Sequence, residues 1–71
     1  MRTYNEVMQK YYEPEECVFF ENMAQCSAYI FRGHAELQAI LPSTRNYGRL
    51  VFAFLRKDHE RLRAAWLNYE L

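Results

Sequence analysis

The sequence has few of the residues that build linkers, and this limits the number of domains. It contains two glycines, two prolines and no Gly/Ser-rich, Pro-rich or repeated tract in 71 residues. A typical single domain is longer, at about 100 to 200 residues. We therefore expect one domain, residues 1–71, and a multi-domain enzyme is excluded.

Long hydrophobic runs are also missing. The longest, Leu50 to Leu55, is far shorter than the roughly 20 residues that a membrane span needs. The N-terminal segment has an acid at Glu6 and no uninterrupted apolar stretch after it, so no signal peptide is predicted. Because 51% of the residues are apolar and 17% aromatic, the chain is too rich in core formers to be disordered. We expect a folded, cytoplasmic protein with no membrane partner.

The two cysteines are poorly placed for a disulfide if both lie in one helix. The separation from Cys17 to Cys26 then corresponds to about 13 Å of helix rise, and a disulfide joins Cα atoms no more than about 7 Å apart. Reduced, buried thiols are expected, as in a reducing compartment. A metal site would need Cys17, Cys26, His34 and His59 to converge, yet no C-x-x-C or H-x-x-x-H spacing occurs. We predict no metal site and no cofactor.

Motifs of catalysis and phosphate binding are absent. Gly33 and Gly48 stand alone, without G-x-G-x-x-G or G-K-[ST]. The acid–base candidates His34, His59 and Asp58 have no spacing that brings them together with a nucleophile. The sequence predicts a protein that is not an enzyme and has no catalytic residues.

Net charge is zero, but the charges are unevenly distributed. Residues 1–41 contain three basic and six acidic side chains, and residues 42–71 contain six basic and three acidic ones. The net charge is therefore minus three in residues 1–41 and plus three in residues 42–71. Either they attract each other inside the fold, or the surface has one acidic and one basic patch.

Apolar residues recur every three or four positions along most of the chain, which predicts helices. Thr3 to Glu6 fits a capping box at the start of a helix over roughly residues 4–12. Pro14 begins a second helix that ends at Gly33, and a third segment, residues 34–41, suits a helix or a strand equally. The last helix runs from near Tyr47 to the C-terminal region. The predicted fold is mainly α, a small single-domain bundle of three to four helices.

Short apolar runs leave a second fold open. Cys17 to Phe20 and Ala28 to Arg32 are compatible with strands, and Leu50 to Leu55 is compatible with a buried strand leading into a helix from Asp58. The alternative is an α+β fold with a small antiparallel sheet and a C-terminal helix.

Aromatic residues are unusually frequent, with six Tyr, five Phe and one Trp, yet the mean hydropathy is −0.45. Tyr, Trp and Arg dominate binding hot spots, and so many tyrosines do not all fit in a small core. The predicted partner-binding anchors are Tyr11, Tyr12, Tyr47 and Trp66. The same aromatics equally suit the edge of a core.

Charged residues flank these anchors in sequence. Arg45, Arg49, Arg56 and Arg63 would form one basic stripe on a continuous helix, which is either a solvated face, a protein contact or a nucleic-acid contact. Arg45, Arg49 and Arg56 suit an acidic partner. Glu13, Glu15 and Glu16 suit a basic one.

These features predict a small non-enzymatic protein-binding module. We expect it to act stoichiometrically as an inhibitor or adaptor of a larger complex, the class that includes phage and mobile-element anti-defence proteins such as anti-CRISPR inhibitors. The alternative is a small nucleic-acid-associated regulator that uses the C-terminal arginine stripe. A homodimer that pairs C-terminal helices around Leu62, Trp66 and Tyr69 is a further expectation.

Overall fold

The computed structural model describes residues 1–71 and has an α+β architecture with five strands and two helices. Strands β1 and β2 form an antiparallel hairpin, and a three-stranded antiparallel sheet has the order β3-β5-β4. Helices make up 34% of the chain and strands 31%. The elements are β1 (Thr3–Asn5), β2 (Lys10–Tyr12), a 3-10 turn (Pro14–Glu16), β3 (Cys17–Phe20), α1 (Met23–Phe31), β4 (Leu37–Pro42), β5 (Leu50–Leu55) and α2 (Arg56–Leu67).

The predicted bundle of three to four helices is therefore wrong, and so is the description of the chain as a small helical protein. The segment predicted as the first helix is the β1–β2 hairpin. Asn5 Oδ1 accepts the Met8 amide at 3.0 Å and turns the chain, and Tyr4 lies opposite Tyr11 with their rings 5.0 Å apart edge to face. Cross-strand aromatic pairing stabilises the hairpin, while the capping box at Thr3 and Glu6 is not formed.

The other differences arise where short apolar runs fit two structures. Cys17–Phe20 and Leu50–Leu55 are strands β3 and β5, whereas Ala28 to Phe31 lies in helix α1. Strand β5 is the central strand of its sheet, and its side chains are buried by the helices on one face and by the hairpin on the other, so a continuous apolar run is what it requires. Helix α2 starts directly after β5, at Arg56 and not at Asp58.

The core lies on both faces of the three-stranded sheet. On one face, Phe52 and Phe54 of β5 pack with Cys26 and Tyr29 of α1 and with Leu62 of α2. On the other face, Ala53 packs against Ala39, Cys17 and Tyr12, so the hairpin covers part of this side. Alternation along β5 places its residues on the two faces in turn.

Gly33 lets the end of α1 approach α2 closely. A Cβ added at Gly33 would lie 2.5 Å from Leu62 Cδ1 and 2.9 Å from the Tyr29 carbonyl oxygen, so a larger residue would push the helices apart. The left-handed backbone conformation after α1 occurs at His34, whose φ is 56°. Gly33 is therefore required for packing, while His34 provides the turn expected of the glycine.

Buried polar groups join the two helices. Gln25 Nε2 donates to the Tyr29 hydroxyl at 3.1 Å, and that hydroxyl lies 2.9 Å from His59 Nδ1. Tyr29 is fully buried, and the Phe20 ring lies 4.9 Å from the imidazole. With Gln25 donating to the phenol oxygen, the hydroxyl hydrogen is free to bond a neutral His59.

A second buried polar group closes one edge of the sheet. Asn5 is 3% exposed, and its amide donates to the Ile40 carbonyl at 2.9 Å and accepts the Ile40 N–H at 3.3 Å. These bonds occupy the outer main-chain groups of β4. Pro42, at the end of β4, has no N–H to leave unpaired.

Neither helix has the length and apolar character needed to cross a lipid bilayer.

We expect Phe54→Ala to lower the free energy of unfolding by about 3 to 5 kcal/mol, because it removes a fully buried ring and leaves a cavity. The Phe54 ring lies 5.5 Å from that of Tyr29. Urea denaturation followed by circular dichroism measures the change. Phe31→Ala, at an exposed position on α1, is the control and should shift stability by no more than about 0.5 kcal/mol. Similar losses in both variants would contradict the core assignment.

Stability should also fall as the pH drops below 6.5, the ordinary pKa of histidine. Burial, with repulsion from Arg63, lowers the pKa of His59 in the folded chain, so the unfolded chain binds the proton first and the free energy of unfolding decreases down to the folded pKa. His59→Gln should flatten this part of the profile. The carboxyls of Glu15 and Glu21, whose pKa values lie below 4.5, act only at more acidic pH. An unchanged profile in the variant would show that His59 is not responsible.

Candidate protein-binding surface

The loop between β4 and β5 has a defined conformation built from local hydrogen bonds. The Ser43 hydroxyl oxygen accepts the backbone N–H groups of Arg45 at 3.2 Å and Asn46 at 3.0 Å. The Arg49 N–H donates to the Asn46 carbonyl at 3.1 Å, and Gly48 adopts a φ of 84° that favours glycine. The loop therefore presents its side chains from an ordered backbone.

Glu21 ties this loop to the end of β3. Its carboxylate accepts the Ser43 hydroxyl at 2.9 Å and the Asn46 amide at 3.0 Å. Hydrogen bonds from Asn46 and Ser43, with the nearby charges of Arg45 and Arg49, lower the pKa of Glu21. Glu21 is therefore ionised at neutral pH and fixes the loop relative to the sheet.

An open groove of about 750 Å³ lies between the loop, the end of β3 and the start of α1. We call it the loop groove. Its apolar side chains come from β3, α1 and β5, and its charged side chains come from the loop and Glu21. The residues that define it are Phe19, Glu21, Met23, Arg45, Arg49 and Val51.

Electrostatics give the loop groove an excess of positive charge. Two guanidinium groups, Arg45 and Arg49, face one carboxylate, Glu21, so the lining has a net charge of plus one. Neither arginine takes part in any of the four ion pairs of the chain. Both side chains are exposed, and Tyr47 at the tip of the loop is fully exposed.

One predicted anchor, Tyr47, and two of the predicted flanking arginines, Arg45 and Arg49, lie on the β4–β5 loop, and the structure separates the other anchors from them. Tyr12 is 7% exposed and packs in the core against Ala53, so its ring is unavailable to a partner. Tyr11 is half-exposed on the hairpin, with Arg2 stacked over its ring at 4.7 Å.

Trp66 lies on α2 and is partly buried against the core, so it belongs to a different element from the β4–β5 loop. Leu62, predicted to lie in a dimer seam, is 5% exposed inside the monomer. Pairing of C-terminal helices through Leu62 is therefore not compatible with this fold.

The predicted arginine stripe does not form, because its members lie on different elements. Arg45 and Arg49 flank the loop, while Arg56 begins α2 and donates to the Glu15 carbonyl at 3.0 Å and the Cys17 carbonyl at 3.4 Å. Arg63 lies further along α2. A continuous helix over residues 45–63 would have been needed to align them.

The acidic residues Glu13, Glu15 and Glu16 lie at the opposite end of β3 from the loop groove. The Met1 amino group contacts Glu15 and lies 3.6 Å from Glu13. Glu16 takes part in no ion pair, although Arg56 and Lys57 line the same shallow cleft. The charge asymmetry of the sequence is therefore only partly kept in the fold, because Arg56 and Lys57 lie at the same end of β3 as the three glutamates.

Sequence reasoning missed Phe19, Glu21, Met23 and Val51 as surface residues. Each of the four lay in a predicted helix, where its neighbours in space would have been different. The run Cys17 to Phe20 is uniformly apolar, so its sequence has no alternation that could have shown Phe19 to be exposed. Phe19 is exposed because a strand turns successive side chains to opposite faces.

Neither cysteine has the environment of a reactive thiol. Burial raises the pKa of Cys26 to about 11, and burial with the charge of Glu16 raises that of Cys17. No three side chains of the His, Cys, Asp and Glu types lie close enough together to hold a metal ion.

The chain matches no protein-family model, and no curated protein or solved structure matches it either.

Replacing Glu21 by Ala should increase hydrogen exchange of the loop amides, above all that of Asn46. The substitution removes both hydrogen bonds that hold the loop to β3. Exchange measured by nuclear magnetic resonance tests this, and Glu36→Ala is the control because the exposed Glu36 carboxylate bonds only Lys10. Equal exchange of the Asn46 amide in the wild type and the Glu21 variant would contradict the role of Glu21.

Proposed function

We propose that the protein is a non-enzymatic binding module that acts stoichiometrically, as an inhibitor or adaptor of a larger complex. The supporting observation is the loop groove, where two guanidinium groups outside any ion pair lie next to apolar side chains, beside an ordered loop that carries the fully exposed Tyr47 at its tip. Tyr and Arg are the residue types most often found at the energetic centres of interfaces.

The partner surface is expected to be acidic with an apolar centre. Arg45 and Arg49 outnumber Glu21 in the groove, and both Glu21 oxygens are already bonded within the chain. Partner carboxylates would therefore meet guanidinium groups that are free to form bidentate pairs. Phe19, Met23 and Val51 supply apolar contacts.

An acidic protein surface fits these features better than nucleic acid does. Tracking a phosphate backbone requires a row of basic groups. Here Arg56 bonds main-chain carbonyls, and Arg61 bonds the Gly33 carbonyl and Asp58, so neither of these arginines extends the row from Arg45 and Arg49.

The test is site-specific photo-crosslinking in cells that naturally express the protein. A photoreactive amino acid replaces Tyr47 in one variant and Tyr69 in the control, since both tyrosines are fully exposed but lie at different ends of the fold. We expect a discrete partner crosslinked from position 47 and not from position 69. Crosslinking from position 69 alone would place the binding surface elsewhere.

With the partner purified, calorimetry should give saturation at a fixed molar ratio and no turnover. Tyr47→Ala should weaken binding by about 2 kcal/mol or more, because we expect the partner to bury this side chain in the complex. Arg45→Ala should weaken binding less. Tyr69→Ala is the matched control and should leave affinity unchanged. Conversion of the partner by catalytic amounts of protein would refute the stoichiometric mechanism.

A further inference from the structure

The rest of the chain covers one edge of the three-stranded sheet and leaves the other edge open. At the β4 edge, both outer main-chain groups of Ile40 are bonded to the Asn5 side chain, and Pro42 has no N–H. The hairpin strand β1 lies beside this edge. The β4 edge is therefore closed to further strand pairing.

At the other edge, β3 has unpaired main-chain groups. The Ser43 N–H bonds the Arg49 carbonyl, and the main-chain groups of Ile40 point away from β5. These two observations fix which residues of β5 direct their N–H and C=O groups toward β4. By alternation, the N–H and C=O groups of Phe52 and Phe54 point toward β3, where these residues pair with Phe20 and Val18.

The N–H and C=O groups of Phe19 and Glu21 consequently point away from the sheet. No loop backbone group or side chain of the chain bonds them. Their side of β3 offers two donors and two acceptors on an edge whose residues 18–20 are all apolar. Natural proteins usually protect such an edge with a charge, a bulge or a covering element.

We propose that this edge pairs with the same edge of a second copy, so that the protein is a symmetric homodimer. The two β3 strands run antiparallel and are centred on Phe19. The result is one six-stranded sheet built from both copies. The dimer shares Phe19, Arg45 and Arg49 with the loop groove, so it rests on part of the same surface as the proposed function, and its tests use the purified protein without a partner.

Main-chain hydrogen bonding supports this register. A pair centred on Phe19 exchanges two N–H···O bonds between the two Phe19 residues. The Glu21 N–H of each copy then faces the Cys17 carbonyl of the other. Within its own chain, this carbonyl accepts a hydrogen bond from the Arg56 guanidinium at 3.4 Å. The half-exposed Phe19 rings become cross-strand neighbours, and Val18 lies opposite Phe20 on the other face.

Charge complementarity favours a second copy over an unrelated strand. In the antiparallel pair centred on Phe19, Glu16 of one copy lies opposite Asn22 of the other, and Asn22 lines the loop groove with Arg45 and Arg49. The acidic turn of each copy thus faces the basic groove of the other, and symmetry makes the contact twice. Glu16, Arg45 and Arg49 form no ion pair within the chain.

The direct test is disulfide trapping of Phe19→Cys under mild oxidation. The paired Cα atoms would lie about 5.5 Å apart, within the range of about 4.4 to 6.8 Å that a disulfide requires. Phe31→Cys, at another exposed phenylalanine, is the control. We expect a covalent dimer to form at least about tenfold faster from the Phe19 variant than from the control. Equal rates, or no dimer from Phe19→Cys, would overturn the proposal.

Sedimentation equilibrium of the reduced protein tests the same interface without a crosslink. The wild type should dimerise, Phe19→Lys should be monomeric because an edge lysine opposes strand pairing, and Phe31→Lys should still dimerise. A wild type that stays monomeric up to millimolar concentration would overturn the proposal, even if the edge bound a strand from another protein.

Charge reversal tests the register. Glu16→Arg and Arg49→Glu should each weaken dimerisation several-fold, and the double variant should restore it, because the reversed charges face each other again. Circular dichroism confirms that each variant is folded. Additive losses in the double variant would overturn the antiparallel register centred on Phe19.

Discussion

The fold depends on burial of β5 on both faces. Phe52 and Phe54 form the centre of the core beneath the helices, and Ala53 between them packs under the hairpin. A chain of this size buries a smaller fraction of its surface than a larger domain does, so one strand that contributes to both sides of the sheet is an efficient source of hydrophobic stabilisation. Helix α2 starts directly from this strand, which fixes its direction across the sheet.

Buried polar groups then select one arrangement of the elements around β5. Asn5 bonds the outer groups of Ile40 and positions the hairpin, while Gln25, Tyr29 and His59 join α1 to α2. No buried side-chain nitrogen or oxygen lacks a partner. Because an unpaired buried polar group is costly, shifting either the hairpin or a helix would break these bonds without replacement.

The surface follows from the same constraints. The chain leaves β3 after Phe20 to begin α1, and this departure leaves a groove between Glu21 and the β4–β5 loop. The apolar floor and the two arginines come from segments distant in sequence that the sheet register brings together. The open edge of β3 has the same origin, since the hairpin protects only the β4 edge.

Part of the candidate surface could be recognised in the sequence. Arg45, Arg49 and Tyr47 were selected from the sequence by residue type, because Tyr and Arg are frequent at the centres of interfaces. The structure places all three in a seven-residue loop after Pro42, whereas the sequence predicted that the last helix begins near Tyr47. Tyr12 was predicted to be an anchor like Tyr11 in a helix, but a strand places adjacent residues on opposite faces, and Tyr12 is buried. Phe19 and Glu21 were missed for the same reason.

The sequence by itself determined the absence of known catalytic motifs, because motif spacing is a property of the chain alone. It also indicated the segments that are apolar enough to be buried. Only the tertiary structure decided between helix and strand for Thr3 to Tyr12, Cys17 to Phe20 and Leu50 to Leu55, since short apolar runs have weak intrinsic preferences and are stabilised by whichever partners they meet. For β5 those partners are β3 and β4, which pair with its main chain on both sides, and the helices and the hairpin, which cover its two faces.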